Sequence, residues 1–322
     1  MCQINKPKIY ITRKLPNELI EDYKDYYDFR MWEESEPVPR DVLLQEVSDV
    51  EGLLCMISEE IDDSLLQSAP NLQVVANCAV GYDNIDVNAT KKHKVIVTNT
   101  PDVLTDTTAD LGFALLMATA RKILEANQFI EKNEWKYWAP YLLAGTDVHH
   151  KTIGIVGMGR IGEAIAQRAS GFDMNIIYHN RSRRIEAEKR LNATYVDFET
   201  LLREADFVVN VVPLTGETHH LFGYSAFEIM KTSAIFINIS RGATVNEKAL
   251  IQALKENKIK AAGLDVFEQE PITNDHPLMQ LDNCLCLPHI GSASMETRTK
   301  MIQLCLENID GVLLGRGAKT PI

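Results

Sequence analysis

Three segments carry side chains whose combination could reduce an oxo acid. INISRG closes an apolar run at Arg241, GLDVFEQEP sets Glu270 in a loop, and LPHIGSAS carries His289. A guanidinium can grip a carboxylate through paired N–H donors, and an imidazole can supply the proton that a developing alkoxide needs. A carboxylate beside that imidazole fixes its orientation and favours its protonated form. Spacing along the chain does not bring the three together by itself. Taken singly, a residue such as His289 is more often a structural histidine, and one such as Glu270, before Pro271, more often loop surface.

A second constellation suits a dinucleotide. Gly157-Met158-Gly159-Arg160-Ile161-Gly162 follows the apolar run TIGIV and opens the helical segment EAIAQRAS. In that strand–turn–helix setting each glycine has a task. Gly157 permits the tight turn, Gly159 lets the backbone approach the pyrophosphate, and Gly162 allows close packing of helix on strand. N–H groups at the helix start then face the anion. An NAD site usually places Asp or Glu about 20 residues further on, against the ribose 2′-OH. Here the second strand ends Tyr178-His179-Asn180-Arg181-Ser182-Arg183-Arg184, with no carboxylate before Glu186. Guanidinium and hydroxyl donors suit a 2′-phosphate, so the turn predicts NADP, with NADPH preferred over NADH.

Elements of α/β type must position these residues. KIYIT (8–12), GLLCMI (52–57), LQVVANCA (72–79) and KVIVTN (94–99) alternate with amphipathic stretches. That is the pattern of a parallel sheet covered on both faces. From Thr107 to about Glu131 the spacing predicts one long helix, followed by a loop with Trp135, Tyr137, Trp138 and Pro140. A second series follows, with strands expected at 152–157, 175–179, 206–212, 234–240, 261–266 and 284–290, and a helical tail from Ser294 to Gly315.

Length and composition bound the possibilities. A chain of 322 residues predicts two domains. Its net charge of −12 argues against a nucleic-acid groove or an anionic membrane as partner. No apolar stretch approaches the roughly 20 residues that span a bilayer, and the N-terminus lacks the apolar core of a signal peptide. Cys2, Cys55, Cys78, Cys284, Cys286 and Cys305 form no metal-ligand spacing, and they suit the reduced cytoplasm. His149-His150 and His219-His220 are adjacent rather than one helical turn apart, so no metal site is expected.

The strings VGMGRIG, INISRG, GLDVFEQEP and LPHIGSAS, in this order, resemble the D-2-hydroxyacid dehydrogenase family, and most closely its glyoxylate/hydroxypyruvate reductase branch. The likeness is dense from about Asn77 to Gly317. It implies two doubly wound parallel-sheet domains, a Rossmann cofactor domain (102–291) inserted into a flavodoxin-like substrate domain (1–101 and 292–322), with catalysis in the cleft between them. It implies that Arg241 binds the substrate carboxylate and carbonyl, that His289 donates the proton in reduction, and that Glu270 pairs with it. The NCAVGYDNID segment resembles the family's substrate loop, where backbone N–H groups near Val80 and Gly81 hold the carboxylate.

For the cofactor, the resemblance implies contacts from Thr108, from the Gly157–Ile161 turn and from Asn180, Arg181 and Ser182. Pro213 and Leu214 would border the adenine side, and Ile239 would lie behind the nicotinamide. Asp265, with Gly291 and Ser292, would read the carboxamide, and Arg241 and His289 would border the ring. The family's NAD-selecting aspartate corresponds to His179, a departure that agrees with the charge argument. A homodimer is also implied, with Trp138 reaching the neighbouring active site. The expected activity is hydride transfer from NADPH to a small 2-oxo acid, glyoxylate or hydroxypyruvate. Two alternatives stay open: an NAD-linked relative acting on another 2-hydroxy acid, and a nucleotide-sensing, corepressor-like binding protein.

Overall fold

The computed structural model describes residues 6–322, so Cys2 lies outside the described residues. The chain divides into two units: the described residues up to Leu104 together with Ser294–Ile322, and Thr105–Ala293.

In the first unit, β1 (Lys8–Ile11), β2 (Asp28–Met31), β3 (Gly52–Cys55), β4 (Val74–Asn77) and β5 (Ile96–Thr98) form a parallel sheet ordered β2-β1-β3-β4-β5. That is the flavodoxin-like order, in which the direction of winding reverses between β1 and β3. β3 and β4 are buried at every position, as strands covered on both faces must be. β2 breaks that rule. Asp28–Met31 is an edge strand with no fully buried residue, and its sequence DFRM lacks the apolar run that marks the others.

In the second unit, β6 (Thr152–Val156), β7 (Asn175–His179), β8 (Thr194–Tyr195), β9 (Phe207–Asn210), β10 (Ile235–Asn238), β11 (Ala261–Leu264) and β12 (Cys284–Cys286) form a sheet ordered β12-β11-β10-β9-β6-β7-β8. Counted from β6, this is the dinucleotide-binding order 3-2-1-4-5-6 with a seventh strand at one edge. The sheet is parallel throughout. Both doubly wound sheets therefore match the expected fold class. β8 was not foreseen, because two residues are too short to leave a periodic signal.

The single helix expected from Thr107 to Glu131 is instead two. Thr105–Arg121 and Ile123–Glu131 meet at Lys122, which adopts a left-handed backbone (φ 53°). Apolar spacing runs through the break without a proline or glycine to mark it, so the sequence hides it. The two pieces differ in burial. Ala109, Phe113, Leu115 and Leu116 of the first enter a core with Ile153, Ile155 and Ile237. The second piece buries none of its residues. No helix among the described residues is long and apolar enough to cross a membrane.

Candidate active site

The glycine turn lies between β6 and the helix Arg160–Ser170. β6 and β7 pair through Val156 and His179, and the Gly157 N–H continues the ladder to His179 O at 3.0 Å. Gly157 has φ +106°, and a Cβ there would sit 2.8 Å from the Val211 carbonyl carbon. Backbone conformation and space thus both require glycine. Gly159 has no atom within 4 Å of where its Cβ would be, and it opens a helix that carries no side-chain cap. Open room beside uncapped N–H groups is what a pyrophosphate needs, so the turn fits a dinucleotide.

Asn180 has a task the sequence did not suggest. Its Oδ1 accepts the Met158 N–H at 2.6 Å and its Nδ2 donates to Met158 O at 3.3 Å, so its side chain braces the turn. His179, the last residue of β7, is held through Nδ1 against Val196 O at 3.0 Å and stacks on Tyr195. Arg181, Ser182, Arg183 and Arg184 are exposed. Arg183 forks onto Glu188 at 3.0 and 2.6 Å, and Arg184 meets Glu163 at 3.1 Å. These two are therefore less available for a 2′-phosphate than their charge suggested. Arg181 lies 3.6 Å from Glu217 with 83% of its side chain exposed, and Ser182 stands beside it.

Arg241, Glu270 and His289 fall at carboxyl ends of neighbouring strands in the second unit. Arg241 comes three residues after β10, and a buried polar network fixes its backbone. Thr244 Oγ1 donates to Arg241 O at 2.6 Å and Asn238 Nδ2 does so at 3.2 Å. Asn210 Nδ2 in turn donates to Asn238 Oδ1 and Thr244 Oγ1. Asn210, Asn238 and Thr244 are all essentially inaccessible. The sequence reading passed over them, although an asparagine inside an apolar strand run is a signal that a buried polar group has a partner. Gly242 then packs so closely on the loop of Glu270 that a Cβ would fall 1.8 Å from Phe267 C.

His289 Nδ1–H donates to Glu270 Oε2 at 2.7 Å, and Glu270 Oε1 accepts the Phe267 N–H at 2.9 Å. Burial raises the Glu270 pKa. The His289 hydrogen bond and charge, the Phe267 N–H and the Arg241 charge outweigh that, leaving the carboxyl below its ordinary value. His289 itself has a left-handed backbone (φ 52°), a sparsely populated conformation for a non-glycine residue. The next N–H, of Ile290, is taken by Asp265 Oδ1 at 2.8 Å. Asp265 is buried, which raises its pKa against the opposing pull of Ile290 N–H and His289.

Of the remaining expected cofactor residues, Asp265 and Thr108 lie within 4 Å of the position a Gly291 Cβ would occupy, so these three meet. Ile239 is buried and packs on Gly112 in the helix Thr105–Arg121. Pro213 O accepts from Thr218 Oγ1 at 2.6 Å. Val80 and Gly81 lie in the first unit, after β4. Trp138 is 79% exposed. Among the described residues, no group of three or more His, Cys, Asp or Glu could hold a metal ion.

A dinucleotide-binding sheet with a histidine hydrogen-bonded to a carboxylate beside an arginine defines an oxidoreductase. Residues 113–291 match the NAD-binding domain of the D-isomer specific 2-hydroxyacid dehydrogenases. The chain is 50% identical over 308 residues to a glyoxylate reductase of Pyrococcus horikoshii, covering 94% of this chain and 92% of that one. It is 47% identical over 311 residues to a glyoxylate/hydroxypyruvate reductase B of Escherichia fergusonii, covering 96% of each. An NADPH-dependent glyoxylate/hydroxypyruvate reductase of Sinorhizobium meliloti, solved with NADP and malonate, superposes with a TM-score of 0.86 at 32% identity, over 99% of this chain and 97% of that one. The chain belongs to the D-isomer specific 2-hydroxyacid dehydrogenase family.

Proposed function

We propose that this oxidoreductase reduces glyoxylate and hydroxypyruvate to the corresponding 2-hydroxy acids, using NADPH in preference to NADH. The observation that carries the reading is the 2.7 Å His289–Glu270 pair, with the Arg241 charge acting on the same carboxylate. Because Nδ1 is committed to Glu270, Nε2 is the nitrogen that carries the transferable proton. Arg241 grips the substrate carboxylate and orients the carbonyl, His289 Nε2–H protonates its oxygen, and Glu270 balances the imidazolium charge. A reduced nicotinamide supplies the hydride when bound.

The turn Gly157–Gly162 would hold the pyrophosphate. Thr108, Asp265, Gly291 and Ser292 would hold the carboxamide, Ile239 would back the ring, and Pro213 and Leu214 would border the adenine side. Arg181 and Ser182 would take the 2′-phosphate, while Asn180 acts through the turn it braces. Backbone N–H groups of Val80 and Gly81 in the first unit are the proposed second hold on the carboxylate.

Assembly belongs to the same reading. Ile123, Ile130, Trp135, Tyr137, Trp138 and Tyr141 are each more than half exposed, an apolar surface of the kind that a second copy covers. In the proposed homodimer Trp138 reaches the partner's substrate. All five described cysteines are free thiols, as a reducing cytoplasm would keep them. The test is a kinetic matrix of glyoxylate, hydroxypyruvate, pyruvate and a bulkier 2-oxo acid, each with NADH and NADPH. The expected result is highest kcat/KM for the two small substrates with NADPH, and a preference for the bulky acid would contradict the assignment.

A further inference from the structure

The loop that follows β4 has three consecutive carbonyl oxygens held in place. Thr100 N–H donates to Ala79 O at 2.8 Å, Asn99 Nδ2 donates to Val80 O at 2.8 Å, and Asn77 Nδ2 donates to Gly81 O at 2.9 Å. In a trans peptide the C=O and the following N–H point to opposite sides of the chain. Pinning Ala79 O and Val80 O on the Asn99–Thr100 segment therefore turns the N–H groups of Val80 and Gly81 away from it. Those two N–H groups donate to no acceptor among the described residues. Successive N–H groups held like this form an anion-binding concavity.

The two asparagines are themselves locked. Asn77 is fully buried, and its Oδ1 accepts from the Cys55 thiol at 3.7 Å and from Asn84 Nδ2 at 3.5 Å, which leaves Nδ2 to face Gly81. Asn99 is tied to the chain's last segment. Its N–H donates to Thr320 O at 3.3 Å, and its own carbonyl accepts from Thr320 Oγ1 at 2.6 Å. Thr320 is held by Asn308, a buried residue of the helix Met295–Leu313. Asn308 Nδ2 donates to Thr320 Oγ1 at 2.9 Å, and Asn308 Oδ1 accepts the N–H groups of Lys319 and Thr320 at 2.8 and 3.0 Å. Beyond it, Pro321 bridges Thr98 in antiparallel fashion and the Ile322 N–H donates to Val97 O.

We infer that Asn77 and Asn99 are positioning residues for the substrate carboxylate, and that the segment Lys319–Ile322 is a strap that sets Asn99. The inference rests on the proposed role of the Val80 and Gly81 N–H groups. It accounts for the buried amides of Asn77 and Asn308 and the half-buried amide of Asn99, none of which the catalytic set uses. A hydrogen-bond chain runs from Asn308 through Thr320 and Asn99 to Val80 O, so a change at the strap is felt by the carboxylate and not by the dinucleotide turn.

The test uses Asn99→Asp, which keeps the shape but turns the donor into an acceptor facing Val80 O, and Thr320→Val, which removes the hydroxyl from a half-buried site. KM for glyoxylate, binding of oxalate by calorimetry, NADPH affinity by fluorescence and thermal stability are measured for each. Asn99→Asp should weaken glyoxylate and oxalate by roughly tenfold and Thr320→Val by roughly threefold, the range of one hydrogen bond. NADPH affinity should stay within about twofold of the parent, well under the effect of a lost hydrogen bond. Unchanged glyoxylate KM and oxalate affinity in a folded Thr320→Val protein overturn the strap, and the same result in Asn99→Asp overturns the positioning role. If the parent reduces no 2-oxo acid, the functional reading falls instead, and oxalate binding still decides the loop.

Discussion

Oε2 of Glu270 lies 2.7 Å from Nδ1 of His289, while Oε1 of the same carboxylate is held by the Phe267 N–H. Both oxygens are engaged, so the carboxylate cannot rotate away from the imidazole without breaking a second bond. Glu270→Gln keeps the shape and loses the charge. Its activity should fall, and the alkaline limb of the kcat/KM profile should move to lower pH, because the protonated imidazole loses its anionic partner. A profile identical to the parent's would remove Glu270 from the proton transfer.

Arg241 is predicted to bind and to orient. Arg241→Lys should raise KM for glyoxylate and lower kcat together, since a point charge lacks the planar fork that aligns the carbonyl. Steady-state kinetics would show it. A lysine variant equal to the parent would mean that the carboxylate is held elsewhere.

Cofactor choice is predicted from the end of β7. NADPH should exceed NADH in kcat/KM by about tenfold or more, the worth of a charge-assisted hydrogen bond. Arg181→Ala should remove most of that margin and leave NADH kinetics nearly unchanged. Arg183→Ala and Arg184→Ala should matter less, because their guanidinium groups already pair with Glu188 and Glu163. Equal use of both cofactors by the parent would make the basic turn solvated surface.

How much of this was legible beforehand depends on the kind of signal. Glycine turns and apolar strand runs leave periodic or positional marks, so the β6–turn–helix unit and Gly157 were readable. The Lys122 break was not, because a lysine in a left-handed conformation costs only a modest strain and changes no hydrophobic spacing. The pairing of Arg183 with Glu188 and of Arg184 with Glu163 was not readable, because sequence shows charge but not which carboxylate a side chain turns toward. Asn210, Asn238 and Thr244 come together only when β9 and β10 pair, a contact no local pattern encodes.

Dimerisation should follow from the exposed apolar side chains between Ile123 and Tyr141. Light scattering at micromolar concentration should give twice the chain mass, and Trp138→Ala should raise KM for the 2-oxo acid while leaving NADPH affinity unchanged. A monomer would contradict the assembly, and an unchanged KM would leave Trp138 out of the substrate site.

Asp206 offers a test of stability apart from chemistry. Its carboxylate accepts the Thr152 N–H and the Lys231 ammonium, both at 2.9 Å. Burial pushes its pKa up, but Lys231 and the Thr152 N–H outweigh this and hold it below the ordinary value of 3.8. A lowered folded-state pKa stabilises the protein above the unfolded value, and that contribution is lost as pH falls through the folded one. Asp206→Ala should cost about 1–3 kcal/mol at neutral pH. Denaturant melts should show the gap closing below pH 3.8, and a gap independent of pH would contradict the linkage.

His289 is predicted to deliver the proton in a glyoxylate reduction. The most direct measurement is the single-turnover rate of NADPH oxidation with saturating glyoxylate, for the parent and for His289→Ala, across the pH range. The parent should oxidise NADPH only when glyoxylate is present, and the variant should be slower by ~10²–10⁴-fold with its pH dependence flattened. A variant rate near the parent's at every pH would contradict the account.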